Sequence, residues 1–142
     1  MISFSIKGQM AVLCFLLIVM SCSKANDSSN NNGTIVGAWS LSEFGIDNNS
    51  NDIIDAGETK TAAQIGAYGS LTLNSNNTYS TMIFDGANPY SESGTYDFLN
   101  GVIRTTTGRG TFNDYKVLTL TNNRLVIKQT TSSPANWIIY TK

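Results

Sequence analysis

The chain has 142 residues, 9 basic and 10 acidic, with a net charge of −1 and only 13% charged residues. That balance leaves no basic footprint for nucleic acid and no acidic tail. No histidine is present, which removes the commonest general base, the commonest metal ligand and every Ser-His or Cys-His catalytic pair. Serines and threonines are plentiful but lack that partner, so the chain reads as a non-enzyme.

At the N-terminus, Lys7 precedes an unbroken apolar run over residues 10–20, followed by Ser21 and Cys22. A positive start, an apolar stretch covering about half of a ~30 Å hydrocarbon core and a small residue before the cut form a secretory signal. Val19-Met20-Ser21-Cys22 resembles the lipobox of bacterial lipoproteins. The resemblance implies that residues 1–21 are removed and that the Cys22 thiol is acylated with palmitate-type chains. More than one acyl chain makes for a stable membrane anchor. Ser23 stands where an aspartate would favour the inner membrane, so the implied address is the outer membrane, on its periplasmic or cell-surface face. Residues 22–33, rich in Asn and Ser, read as a flexible polar tether. Cys14 leaves with the signal and Cys22 is blocked, so no disulfide is expected in the domain over residues 34–142.

From Thr34 onward, short β-type runs alternate with Asn and Gly turn clusters. Gly37, Trp39 and Leu41 alternate with Ala38, Ser40 and Ser42, and Leu71 and Leu73 with Ser70, Thr72 and Asn74. Further strands are expected over residues 79–84, around Gly94, Tyr96 and Phe98, and over residues 102–107, 112–120, 124–131 and 136–141. Asn100-Gly101 is a strong hairpin signal. Only residues 59–67 have the composition of a short helix. About eight hairpin-linked strands predict an all-β, antiparallel up-and-down barrel, with a β-sandwich as the alternative.

Ile35-Val36-Gly37-Ala38-Trp39-Ser40-Leu41 resembles the Gly-x-Trp signature of lipocalins, and Ser93-Gly94-Thr95-Tyr96 resembles a recurring Gly-x-Tyr strand. Together they are similar to the lipocalin-like domains on lipoproteins of Gram-negative, Bacteroidetes-type bacteria. The resemblance implies a barrel that binds a small apolar ligand without catalysis. The last strand offers no arginine to cover Trp39, unlike lipocalins proper. With so many large inward candidates, among them Trp39, Phe98, Trp137 and Ile139, the expected site is a shallow apolar pocket at one mouth, lined by Tyr79, Tyr96 and Trp137. Gly37, Gly94 and Thr81 mark where space would remain.

Residues 47–58 follow the twelve-residue EF-hand loop. Asp47, Asn49, Asn51 and Asp55 stand at positions one, three, five and nine, the Ile53 carbonyl at seven, apolar Ile54 at eight and Glu58 at twelve. Calcium, held structurally, is the expected cofactor. Asp52 replaces the usual glycine at position six and must take a positive φ. This feature supports a second expectation for function: a calcium-stabilised structural or contact domain, for protein or glycan, with a filled barrel. The expected partners are thus a membrane and a small apolar ligand, and nothing in the sequence specifies an oligomeric state.

Overall fold

The computed structural model describes residues 33–86 and 89–142; the signal, Cys22 and nearly all of the tether lie outside the described residues. The strands are β1 (Gly37–Asp47), β2 (Thr59–Thr61), β3 (Tyr68–Leu73), β4 (Thr78–Phe84), β5 (Pro89–Leu99), β6 (Val102–Thr107), β7 (Phe112–Leu120), β8 (Arg124–Gln129) and β9 (Ala135–Thr141). All pairings are antiparallel in the order β2-β1-β3-β4-β5-β6-β7-β8-β9, and β9 returns to pair with β1. Eight strands therefore close into an up-and-down barrel, with β2 as a short extra strand against β1. One closed sheet excludes the sandwich and leaves few open edges.

Local chemistry sets the turns. Asn100 and Gly101 take φ values of 53° and 75°, the tight turn that suits two right-twisted strands. Residues 59–67 depart from the expected helix. Thr59–Thr61 pairs with Glu43–Gly45 as β2, and a single 3-10 turn, Ala63–Ile65, ends at Gly66 in the left-handed region. Two β-branched threonines favour the strand, and three residues are too few to sustain a helix.

The barrel interior is one apolar cluster that includes Trp39, Leu71, Leu73, Tyr79, Tyr96, Ile103, Leu125, Ile127, Ile138 and Tyr140. Trp39 plugs the end where the chain enters, its Nε1 donating to the Ile35 carbonyl oxygen at 2.9 Å. The cation missing from the last strand is supplied one residue later, since Lys142 Nζ lies 4.1 Å from the Trp39 ring centroid. Gly94 leaves no space in the lumen. A Cβ there would stand 2.0 Å from the Thr106 carbonyl oxygen, so this glycine serves close strand approach.

A second, smaller cluster lies on the outer face. Val126, Trp137 and Ile139 pack there with Ile54 and Leu118. Trp137 and Ile139 alternate along β9 with the inward Ile138 and Tyr140, so neither faces the lumen as expected. Residues 48–58 fold back over them, and Ile54, the apolar eighth residue of the loop, packs against that cluster. Ile54 is partly buried there and contributes a share of the roughly 1.5–3 kcal/mol that full burial of such a side chain gives, which helps an otherwise polar loop stay seated.

Candidate functional site

The open end of the barrel is built by the last residues of β1, β4, β6 and β8 and the first of β3, β5, β7 and β9. A groove of about 550 Å³ runs across it, with Phe44, Ile46, Ile65, Ala67 and Ile83 as its apolar lining and Asn48, Glu58, Lys60, Asp85 and Asn136 among its polar residues. Beneath it the lumen keeps a cavity of only about 60 Å³, bordered by Tyr79, Thr81, Ile83, Tyr90, Glu92, Thr105, Tyr115 and Tyr140 among others. Ile83 borders both spaces. A β-bulge between Leu41 and Glu43 changes the register of β1, and Phe44 beyond it packs on the interior cluster.

Among the described residues, Glu92 is the one carboxylate that borders the lumen cavity. It accepts hydrogen bonds from the hydroxyls of Tyr79, which is buried, and Tyr90, which is half exposed at the mouth. Burial, and then the Glu92 carboxylate, push the Tyr79 hydroxyl far above its usual range. The same causes raise Tyr90 to about 12, so both remain donors at neutral pH. Burial likewise raises Tyr140. Among the described residues, no lysine or arginine forms an ion pair with Glu92.

Of the three residues expected to line a pocket at the mouth, Tyr79 borders the lumen cavity beneath the groove and the other two lie elsewhere. Tyr96 belongs to the opposite end, where its hydroxyl donates to the Asn74 carbonyl oxygen at 2.9 Å and its ring borders a groove beside Phe98 and Leu99. Trp137 is fully buried beneath the outer loop, with Lys128 Nζ 5.5 Å from its ring centroid. Sequence reasoning missed Tyr90, Tyr115 and Tyr140, and read Glu92, beside Asp85 across one hairpin, as an ordinary surface carboxylate. The signal for Glu92 was present: extending the Gly94, Tyr96, Phe98 alternation two places upstream puts Glu92 on the same face.

In the loop, Ser50 and Asp52 take φ values of 57° and 63°, as position six requires. Asp47 is completely buried, and its Oδ2 meets Lys128 Nζ at 2.5 Å, while Oδ1 has no partner. Lys128 also reaches Asp52 Oδ1 at 2.6 Å, and Lys116 takes the other Asp52 oxygen. The Lys128 hydrogen bond holds the Asp47 carboxyl below the usual range, against the cost of burial. For Lys128 itself burial works against the charge, and the Asp47 and Asp52 carboxylates outweigh it. The Asn49 and Asn51 side-chain amides donate to Asp55 Oδ2 at 2.7 and 2.9 Å. Glu58 accepts the backbone N–H groups of Asn48 and Asp55. Among the described residues, no three His, Cys, Asp or Glu side chains gather as a metal-holding group. A cation held by the expected set would draw on the Asp47, Asp55 and Glu58 carboxylates and on amide and carbonyl oxygens. It would require the Asn49 and Asn51 amides that now donate to Asp55 to turn over.

A family model described as a lipocalin-like domain matches residues 35–127, well over half of the chain. No curated relative matches the sequence significantly. Among solved structures, the chain is similar to a crystal structure of a mutant of the fluorescent protein UnaG. The identity is 10%, the match covers 76% of this chain and 95% of that one, and the TM-score is 0.39.

Proposed function

The chain belongs to the lipocalin-like domain family, and on that premise we propose that it is a non-catalytic binding module taking a small apolar ligand at the barrel mouth. One observation carries the reading: an open apolar groove lies over the lumen cavity, with Ile83 as the side chain that borders both. A concave apolar surface with a few convergent polar groups is the usual form of a ligand site. With about 60 Å³ below, most of the ligand lies in the groove and little enters the barrel. The lipobox around Cys22 supports placing the module on a bacterial outer membrane by an N-terminal lipid anchor.

The test is titration of a neutral fluorescent dye into a chain carrying Cys22→Ser, which keeps the acyl chains out of the assay. Saturable binding that Ile65→Asp weakens at least about tenfold supports the reading. Ile65 is 40% exposed, so the change leaves the core intact. Binding that never saturates, on folded protein, favours the second reading of a filled domain that contacts protein or glycan. Two observations favour that second reading: the small lumen, and the unpartnered Asp47 Oδ1 at the first position of the loop. It includes calcium held by Asp47, Asn49, Asn51, the Ile53 carbonyl, Asp55 and Glu58. Calcium there stiffens the loop and supplies no chemistry.

A further inference from the structure

We propose that the barrel mouth selects amphiphiles with a compact cationic head, namely protonated alkyl or aryl amines, over fatty acids; this rests on the reading that the mouth binds a small apolar molecule. The two spaces at the mouth differ in size and polarity. The groove offers Phe44, Ile46, Ile65, Ala67 and Ile83 to a hydrocarbon tail. The cavity below, about 60 Å³, has room for a head group the size of one or two water molecules. Its charge is that of Glu92.

Glu92 has capacity to spare. An ionised carboxylate offers about four acceptor positions, and the Tyr79 and Tyr90 hydroxyls take two. An ammonium brings three donors and no acceptor, which matches what remains, and Thr81 and Thr105 border the same cavity. Both tyrosines donate to Glu92, so they hold its charge in place and leave it without a neutralising partner. A carboxylate head in this cavity would meet a like charge without a counter-ion. At the rim, Lys60, Glu58 and Asp85 line the groove and Arg109 stands on the turn between β6 and β7 at the same end, so the charge inside the cavity, that of Glu92, is what separates the two heads. Unit charges about 5 Å apart near a protein surface alter affinity by more than about tenfold in either direction.

The experiment uses the chain carrying Cys22→Ser and measures displacement of Nile red, a neutral dye, by octylamine, octanol and octanoate. Octylamine should displace the dye at a concentration at least about tenfold below octanoate. Glu92→Gln should bring the two within about threefold. Should that variant fail to fold, salt gives the same information on the unaltered site, because added salt weakens the amine and strengthens the carboxylate. Displacement by octanoate at or below the octylamine concentration overturns the amine preference and leaves the binding module standing. Absence of saturable dye binding overturns both.

Discussion

Replacing Lys128 with methionine removes the cation from Asp47 while keeping most of the apolar volume. The two residues form an ion pair at 2.5 Å, with side-chain exposures of 12% for Lys128 and 0% for Asp47. Breaking a buried pair from one side typically costs about 3–5 kcal/mol. The Asp52 N–H still reaches Asp47 Oδ2 at 3.4 Å, so the low end, about 3 kcal/mol, applies. In a domain of this size 1 kcal/mol moves the melting temperature by about 4 °C or more, so a fall of at least about 12 °C is expected. Asp47→Asn should cost less, since Lys128 keeps Asp52 at 2.6 Å. The double variant should recover most of the loss, because it removes both charges.

The sign of the pH response tests the cause. In the natural chain Asp47 is held below its ordinary value of 3.8. Its contribution is therefore present above that value and lost as pH falls through the folded-state pKa. In Lys128→Met the Lys128 hydrogen bond and charge no longer lower the folded-state pKa, so burial pushes it above that of the natural chain, opposed only by the backbone N–H groups of Asp52 and Ser50. The variant should then regain stability relative to the natural chain as pH falls from 7 towards 4. Urea unfolding at several pH values, followed by the emission of Trp39 and Trp137, both buried in the fold, measures this. A loss below about 1 kcal/mol at pH 7, with no narrowing at low pH, would refute the reasoning.

Millimolar calcium should raise the melting temperature, with an affinity on the order of 10⁻⁴–10⁻³ M as in extracellular modules. Ten times the dissociation constant gives about 1.4 kcal/mol by mass action, and Glu58→Ala should remove most of the shift. A labelled fatty acid fed to growing cells should mark the protein, and Cys22→Ser should abolish the label; equal labelling of both would dispose of the anchor. Tyr96→Phe deletes the 2.9 Å hydrogen bond to the Asn74 carbonyl. It should lower stability by about 1 kcal/mol and leave dye binding unaltered, and a change in dye affinity would contradict the assignment of Tyr96 to the closed end.

The barrel was legible because hairpin turns and period-2 alternation are local properties. The strand over Val102–Thr107, the Asn100-Gly101 turn and the strand over Phe112–Leu120 stand where pattern alone put them. The site was less legible, and β9 explains why. Ile138 and Tyr140 face the lumen while Trp137 and Ile139 face the outer loop, so both faces are apolar and the alternation carries no inside label. The bulges between Leu41 and Glu43 and between Val117 and Thr119 shift the alternation within a strand, and a single sequence gives no sign of where they fall. Lys128 was invisible as a partner of Asp47 for another reason: they are 81 positions apart, and only the closure of β9 on β1 brings them together.

That closure also ties the outer loop to the mouth. Beyond its bulge, β1 carries Phe44 and Ile46 to the groove and ends at Asp47, the first residue of the loop. Asn48, Gly57 and Glu58 then line the groove while belonging to the loop, and Glu58 accepts the Asn48 and Asp55 N–H groups that set the loop's shape. One wall of the groove is therefore only as rigid as the contacts holding the loop on Trp137. Lys128 provides an internal cation for those contacts, next to the position a calcium ion would need. Any cation that tightens the loop must then either offset Lys128 or work around it, and it changes groove affinity to the extent that ligand and cation favour the same loop conformation. Linkage makes the effect reciprocal: a ligand that presses on Glu58 alters cation affinity by the same factor that the cation alters the ligand's.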